Sequence, residues 1–231
     1  AEGGELCEAA GNFAAYRGVL RTNTGISYCK AGGFVVTLHH SIQTMNSFVG
    51  YHGTDDANVD SILTGGMNPS LGDDEWLGDG TYFFIEGLSR TPEVQAEQWA
   101  IVSAWDSELR KNKYDKYSVL KADIDVDDEY FLDLTTAEGL EVFYYIKETL
   151  KRRLKRRSKP NRICFIDGIV INMSRNELSH RIDAVKGNVF IKLTKEDRIY
   201  RLQSRLPNCT IAAVFNQDCI SNVSNAKTGT V

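Results

Sequence analysis

Phe48-Val49-Gly50-Tyr51-His52-Gly53-Thr54-Asp55, followed further on by Gly78-Asp79-Gly80-Thr81-Tyr82-Phe83-Phe84-Ile85, is the stretch on which the fold turns. The first piece reads as a short strand over 48–52 that runs into a Gly-Thr turn. The second reads as a strand over 81–85, rich in aromatic and β-branched residues and set off by two glycines. Between them, Asp56 or Asn58 can cap a helix through Leu63, which Gly65-Gly66 stops. Residues 68–80 hold three glycines, a proline and four acidic side chains, and read as a loop.

Outward from this centre the pattern stays mixed. Thr91-Pro92-Glu93 opens a helix, because proline in the first turn gives up an N–H that has no helical partner there. Val94, Trp99, Val102, Trp105 and Leu109 carry that helix to about residue 113. Strands are expected at 117–124 and 132–134, and a helix over 138–157. Leu140, Phe143, Tyr144, Ile146, Leu150 and Leu154 mark the apolar face of that helix, and Pro160 ends it. The last strands are expected at 162–172, 188–193 and 210–216. Residues 1–47 are rich in Gly and Ala, with a helix expected at 5–15 and a strand at 33–40. Strands and helices do not alternate as regular βαβ units, which predicts an α+β fold with two packed antiparallel sheets around a central cleft. Residues 1–47 are expected as an N-terminal extension packed on a domain spanning 48–231.

The 231 residues are 42% hydrophobic and 25% charged, an ordinary globular composition that excludes collagen-like, low-complexity and wholly disordered classes. No apolar run reaches the ~18 residues of a membrane span. The net charge of −4 hides an asymmetry. Between residues 147 and 162 nine basic side chains face the single acid Glu148, so this segment alone carries +8. Lys151, Arg152, Arg153, Lys155, Arg156 and Arg157 follow one another around the helix there. They read either as a solvated helix end beside the negative end of the dipole, or as a ridge for nucleic-acid phosphates. Five cysteines show no CxxC spacing, so no metal site is expected, and the odd count opposes a complete disulfide framework. Cys7–Cys29 or Cys209–Cys219 can pair only in an oxidising compartment. The compartment stays open.

The chemistry concentrates in the opening stretch. A histidine at a strand end followed by Gly-Thr presents an imidazole beside exposed main chain, and Gly53 permits a flat ligand to approach the backbone closely. Gly80 and Tyr82 put an aromatic ring next to a flexible, acid-rimmed loop. Gly78-x-Gly80 does not open a dinucleotide-binding G-x-G-x-x-G, since residue 83 is Phe. Asp73-Asp74-Glu75 reads as a solvated loop rather than a cation site, and neither a P-loop nor a Gly-x-Ser-x-Gly elbow is present.

Taken together, His52-Gly53-Thr54, Asn58-x-x-Ser61-Ile62-Leu63, Gly65-Gly66-Met67, Trp76-Leu77-Gly78-Asp79-Gly80-Thr81-Tyr82-Phe83 and Ala96-x-x-Trp99-Ala100 resemble the ADP-ribosyltransferase superfamily. The likeness is to the His-Tyr-Glu branch shared by diphtheria toxin and the poly(ADP-ribose) polymerases, and it covers residues 48–105. It implies split antiparallel sheets around a cleft for NAD, used as co-substrate. It implies that His52 bonds a ribose hydroxyl, that Gly53 holds the nicotinamide carboxamide through its main chain, and that Thr54 supports the turn. Gly80 and Tyr82 would line the same site, with Tyr82 stacked on the nicotinamide ring and the 68–79 loop covering the donor. The implied activity is mono-ADP-ribosyl transfer of toxin or effector type. A protein is the default acceptor, and nucleic acid is the alternative through the basic ridge. The family's Glu is expected near 210–212, yet the late strand carries no acid before Asp218. Three explanations stand: loss of the Glu, a substitute among Glu86, Glu177, Glu196 and Asp183, or a module that binds NAD or ADP-ribose without catalysis. NAD glycohydrolysis, with water as acceptor, uses the same pocket.

Overall fold

The computed structural model describes residues 44–157, 166–178 and 180–231, together with two short upstream strands. Two compact units divide the chain, Ala1–Thr44 and Met45–Val231. In the first, β1 (Lys30–Ala31) and β2 (Phe34–Val35) pair antiparallel. The helix expected at 5–15, most of the strand expected at 33–40, the Cys7–Cys29 pairing and the packing of the extension before residue 44 lie outside the described residues, whereas residues 45–47 belong to a strand of the second unit.

The second unit is α+β. Its strands are β3 (Met45–Asp55), β4 (Thr81–Ile85), a small hairpin of β5 (Trp105–Asp106) and β6 (Lys111–Asn112), β7 (Lys116–Asp127), β8 (Phe131–Asp133), β9 (Ala184–Val189), β10 (Cys209–Val214) and β11 (Ile220–Thr230). Its helices are α1 (Val59–Gly65), α2 (Pro92–Ser103), α3 (Ala137–Arg157), α4 (Ile166–Glu177) and α5 (Lys195–Ile199). Seven strands form one sheet in the order β11-β7-β3-β4-β10-β9-β8. This corrects the expectation of two packed antiparallel sheets: the strands are hydrogen-bonded across the whole width, and β8 runs parallel to β9. The join between the halves is narrow, however. β3 meets β4 at Gly50↔Ile85 and Tyr51↔Phe84 alone, whereas it follows β7 from Met45 to Asp55.

Alternation along β4 and β10 builds a core on each face. Phe84, Ile211 and Ala213 point to the side covered by α2, α3 and α4. Phe83, Ile85, Ala212 and Val214 point to the other side, where Leu120, Ile124, Val126, Val59 and Met67 close over them. Strands buried on both faces read as continuous apolar runs, which is why 81–85 and 209–214 are legible.

Three local expectations fail, the first two for identifiable reasons. From Ile166 onward, the strand expected at 162–172 is helix α4. Ile169, Val170, Ile171 and Met173 are buried all round, and a continuous apolar run does not distinguish a buried strand from a buried helix. Topology decides it: parallel neighbours β8 and β9 need a crossover, and α3 and α4 supply it. Helix α2 stops at Ser103, ten residues short of expectation. Asp106 accepts hydrogen bonds from the backbone N–H groups of Glu108 and Leu109, closing a turn that sends the chain into the β5–β6 hairpin. Trp105 and Leu109, expected on the helix face, are exposed. The strand expected at 188–193 lies earlier, at Ala184–Val189. On α3, Phe143, Ile146 and Leu150 are buried as expected, while Leu140 and Tyr144 are exposed. No helix among the described residues is long and apolar enough to cross a membrane.

Candidate functional site

The site lies where the sheet opens. Beyond Tyr51 the pairing of β3 with β4 ends, so the edge of β3 that faces β4 carries no ladder from His52 onward. A cavity of about 280 Å³ occupies this gap, and His52, Gly53, Gly80 and Tyr82 all line it. Thr54, the remaining residue singled out in the sequence, does not line it. Its hydroxyl lies 3.5 Å from Asn58 Nδ2, at the start of α1.

His52 bridges the gap. Its Nδ1 is 2.9 Å from the carbonyl of Tyr82, so Nδ1 carries the proton and donates it there. Nε2 is thereby left as an acceptor. The surrounding protein disfavours the charged ring and lowers its pKa, with the Tyr82 carbonyl opposing in part. His52 is therefore a neutral imidazole of defined tautomer, suited to receive a hydroxyl proton.

Gly53 has a steric reason that the sequence conceals. A Cβ there would sit 2.0 Å from the carbonyl oxygen of Ala96 and 3.0 Å from the Ala100 methyl. The small residues of Ala96-x-x-Trp99-Ala100 let α2 lie directly against β3. Trp99, between them, forms a wall of the cavity.

Tyr82 is pinned at its hydroxyl. It donates to the Gly78 carbonyl at 2.8 Å and accepts from the Leu77 N–H at 2.8 Å. Its acidity is suppressed, chiefly by burial, with the Leu77 N–H opposing and the charges of Glu75 and Asp79 adding to it. Tyr82 is therefore a fixed aromatic wall. Trp76 stands edge-on to Tyr82 (6.2 Å, 77°) and to Trp99 (5.7 Å, 63°), giving three rings around the cavity.

The acid-rimmed loop is ordered, not loose. Ser70 and Gly80 exchange backbone hydrogen bonds at 2.9 and 3.1 Å, and Asp79 Oδ1 accepts from the Gly72 N–H. From behind, Asn172 on α4 accepts from the Asp79 N–H at 2.8 Å, against Gly78 at φ +90°. A Cβ at Gly168 would sit 2.0 Å from the carbonyl of Glu75. Asn68, Ser70, Asp74, Glu75 and Trp76 reach the cavity from this loop. Sequence reasoning missed Glu75, Trp76, Asn172 and Gly168 as parts of one site. The Trp76-Leu77-Gly78 motif is the available signal for the loop, whereas the sequence of α4 reads as a strand.

The other candidates are dispersed. Glu177 pairs with Arg153 and Asp183 with Arg181, at 2.7 and 2.8 Å, and Glu196 lies in the first turn of α5. Glu86 lines a separate cavity with Lys186, Asp133 and Phe131. At the late strand, Thr210 Oγ1 accepts from the Leu88 N–H and donates to Asn188 Oδ1. On α3, Arg152, Lys155 and Arg156 are exposed, and Lys151 pairs with Glu148. The Arg157 side chain lies outside the described residues. Cys209 and Cys219 are buried free thiols, which corrects the suggested pairing. Among the described residues, no three His, Cys, Asp or Glu side chains gather as a metal site.

No protein-family model matches the chain. The uncharacterized protein MJ0359 of Methanocaldococcus jannaschii is similar to it, with 32% identity over 158 residues, covering 64% of this chain and 68% of that protein. The chain therefore belongs to the same family as that archaeal protein.

Proposed function

We propose that this chain is a mono-ADP-ribosyltransferase that transfers ADP-ribose from NAD to a macromolecular acceptor and releases nicotinamide. One observation carries the reading: His52, Gly53, Gly80 and Tyr82, drawn from two strands that part at this point, line a single cavity. The donor set suits the substrate. Trp76, Tyr82 and Trp99 offer aromatic surface to a planar pyridinium. The open edge of β3 offers main-chain groups to a carboxamide, and His52 Nε2 accepts from a ribose hydroxyl. The cavity, at about 280 Å³, is just below the roughly 300–1,000 Å³ typical of drug-sized ligands. It suits the nicotinamide and its ribose, with the rest of the dinucleotide along the cleft mouth.

In this reading the residues work by orientation and exclusion. The rings keep water from the glycosidic carbon, and the braced 68–80 loop holds the sugar in one pose for the acceptor. A protein is the default acceptor. The exposed cations of α3 support nucleic acid as the alternative.

A second reading has its own support, because Thr210 has both its hydroxyl bonds committed and Ile211 and Ala212 are buried apolar residues. With no acid at those positions, the chain would bind NAD or ADP-ribose without transferring it. Calorimetry with NAD tests what the two readings share: wild type binds, and His52→Ala binds at least about tenfold more weakly, corresponding to ~1.4 kcal/mol. Equal affinities would refute the donor site. Labelled NAD mixed with the protein and a cell lysate then separates them. Label on a macromolecule marks a transferase, free ADP-ribose a glycohydrolase, and binding without nicotinamide release a binding module.

A further inference from the structure

The cavity is lined by two carboxylate residues, Asp74 and Glu75, and they differ in setting. Asp74 is exposed, whereas Glu75 is partly buried. The Glu75 main chain is fixed from behind by α4, since its carbonyl occupies the space that a side chain at Gly168 would need. Its carboxylate lies within electrostatic reach of the Tyr82 phenol, which lines the same cavity. The acids that the sequence suggested as substitutes are engaged or located elsewhere.

We propose that Glu75 is the catalytic carboxylate of this site, supplied by the loop before β4 rather than by the late strand. The inference rests on the NAD reading above. Glu75 faces the pyridinium and its ribose, where negative charge complements the positive charge that moves from ring to sugar. As the bond between the sugar carbon and the ring nitrogen breaks, its electron pair passes to the ring and leaves neutral nicotinamide. The acceptor, a hydroxyl-, amine- or amide-bearing nucleophile or water, forms the new bond to the sugar carbon, and its proton passes to Glu75. Burial and the neighbouring charges of Asp79 and Asp74 raise the Glu75 pKa, which suits a group that must take up that proton.

The test compares ligands that differ in the cationic ring. Glu75→Gln keeps the shape of the side chain and removes its charge. In calorimetry its affinity for NAD is expected to fall by about fivefold, the upper range for a partly exposed ion pair. Affinity for ADP-ribose, which lacks the pyridinium, should stay within about twofold. Glu75→Asp should retain the preference for NAD, and Glu86→Gln, in the other cavity, should match wild type throughout. Where wild type releases nicotinamide, Glu75→Gln should slow release by on the order of 100-fold. If Glu75→Gln loses neither ligand, or loses both equally, the assignment is overturned while NAD binding by wild type keeps the donor site standing. If wild type binds neither NAD nor ADP-ribose, the donor site itself falls, and Glu75 with it.

Discussion

Tyr82→Phe is the substitution that separates this structure from one in which Tyr82 is simply a core aromatic. The ring stays, so packing against Trp76 is kept and only the hydroxyl is lost. In the structure that oxygen both donates to the Gly78 carbonyl and accepts from the Leu77 N–H, each at 2.8 Å. Leu77 is 3% exposed, so its N–H has no route to water once the partner is gone. An orphaned buried donor costs about 1–3 kcal/mol, and the lost bond to Gly78 adds about 1 kcal/mol. The expected destabilisation is therefore ~2–4 kcal/mol, unusually large for removing one oxygen atom. For a domain of this size it corresponds to a fall in Tm of about 5–15 °C. Calorimetric melting measures the total, and hydrogen exchange at the Leu77 amide localises it, because that amide should lose its protection selectively. A variant that melts with wild type and keeps Leu77 protected would show that the hydroxyl does not hold the 68–80 loop, and the account of the cavity wall would fail.

Gly53→Ala is expected to destabilise by about 1–3 kcal/mol or more, because the added methyl meets the Ala96 carbonyl, a helix backbone atom that cannot rotate away. Thermal melting checks this, and a neutral result would mean that α2 does not press on β3 as described. The lowered pKa of His52 makes the unfolded chain the stronger proton acceptor between the folded value and the ordinary value of 6.5. Stability should therefore fall as pH drops from 6.5 through the folded value. His52→Asn, which keeps a donor toward the Tyr82 carbonyl, should flatten that part of the curve in denaturant titrations from pH 7 to 5. An unchanged slope would refute the neutral, enclosed ring. Arg153→Glu with Arg156→Glu should abolish the salt dependence of any single-stranded nucleic-acid binding, expected at a log–log slope of roughly −0.7 per phosphate contact. NAD affinity should stay at the wild-type value, since the cavity draws on other elements. Salt-dependent binding that survives in this variant would remove the ridge as the contact.

How much was legible in the chain alone follows from the range over which each signal acts. Local chemistry disclosed the strand at 81–85, the middle of β3, the turn at Gly65-Gly66, the start of α2 at Pro92 and the long α3 helix, because caps, glycines and apolar periodicity act within a few residues. It also singled out His52, Gly53, Gly80 and Tyr82 before any contact between them was visible. The Gly-Thr turn expected after His52 is instead strand, since Gly53 and Thr54 pair with Val119 and Ser118 of β7. Tertiary structure decided what those signals do not reach. The run containing Ile169, Val170 and Ile171 is helical because two parallel neighbours need a crossover, a constraint set by strands at 131 and 184. Strand β11, built of Ser, Asn, Lys and Thr, has little strand character of its own. It forms because the free edge of β7 offers backbone partners, with Lys227 and Thr228 anchored to Glu97 and Ser118. Glu75 shows the same division most sharply. In sequence it is the last of three adjacent acids on a polar loop, with nothing to set it apart from Asp73 and Asp74. Only the packing of α4, with Gly168 against the Glu75 carbonyl and Asn172 against Gly78 and Asp79, fixes the main chain from which Glu75 reaches the cavity, and such contacts span a sequence separation over which local propensity carries no information.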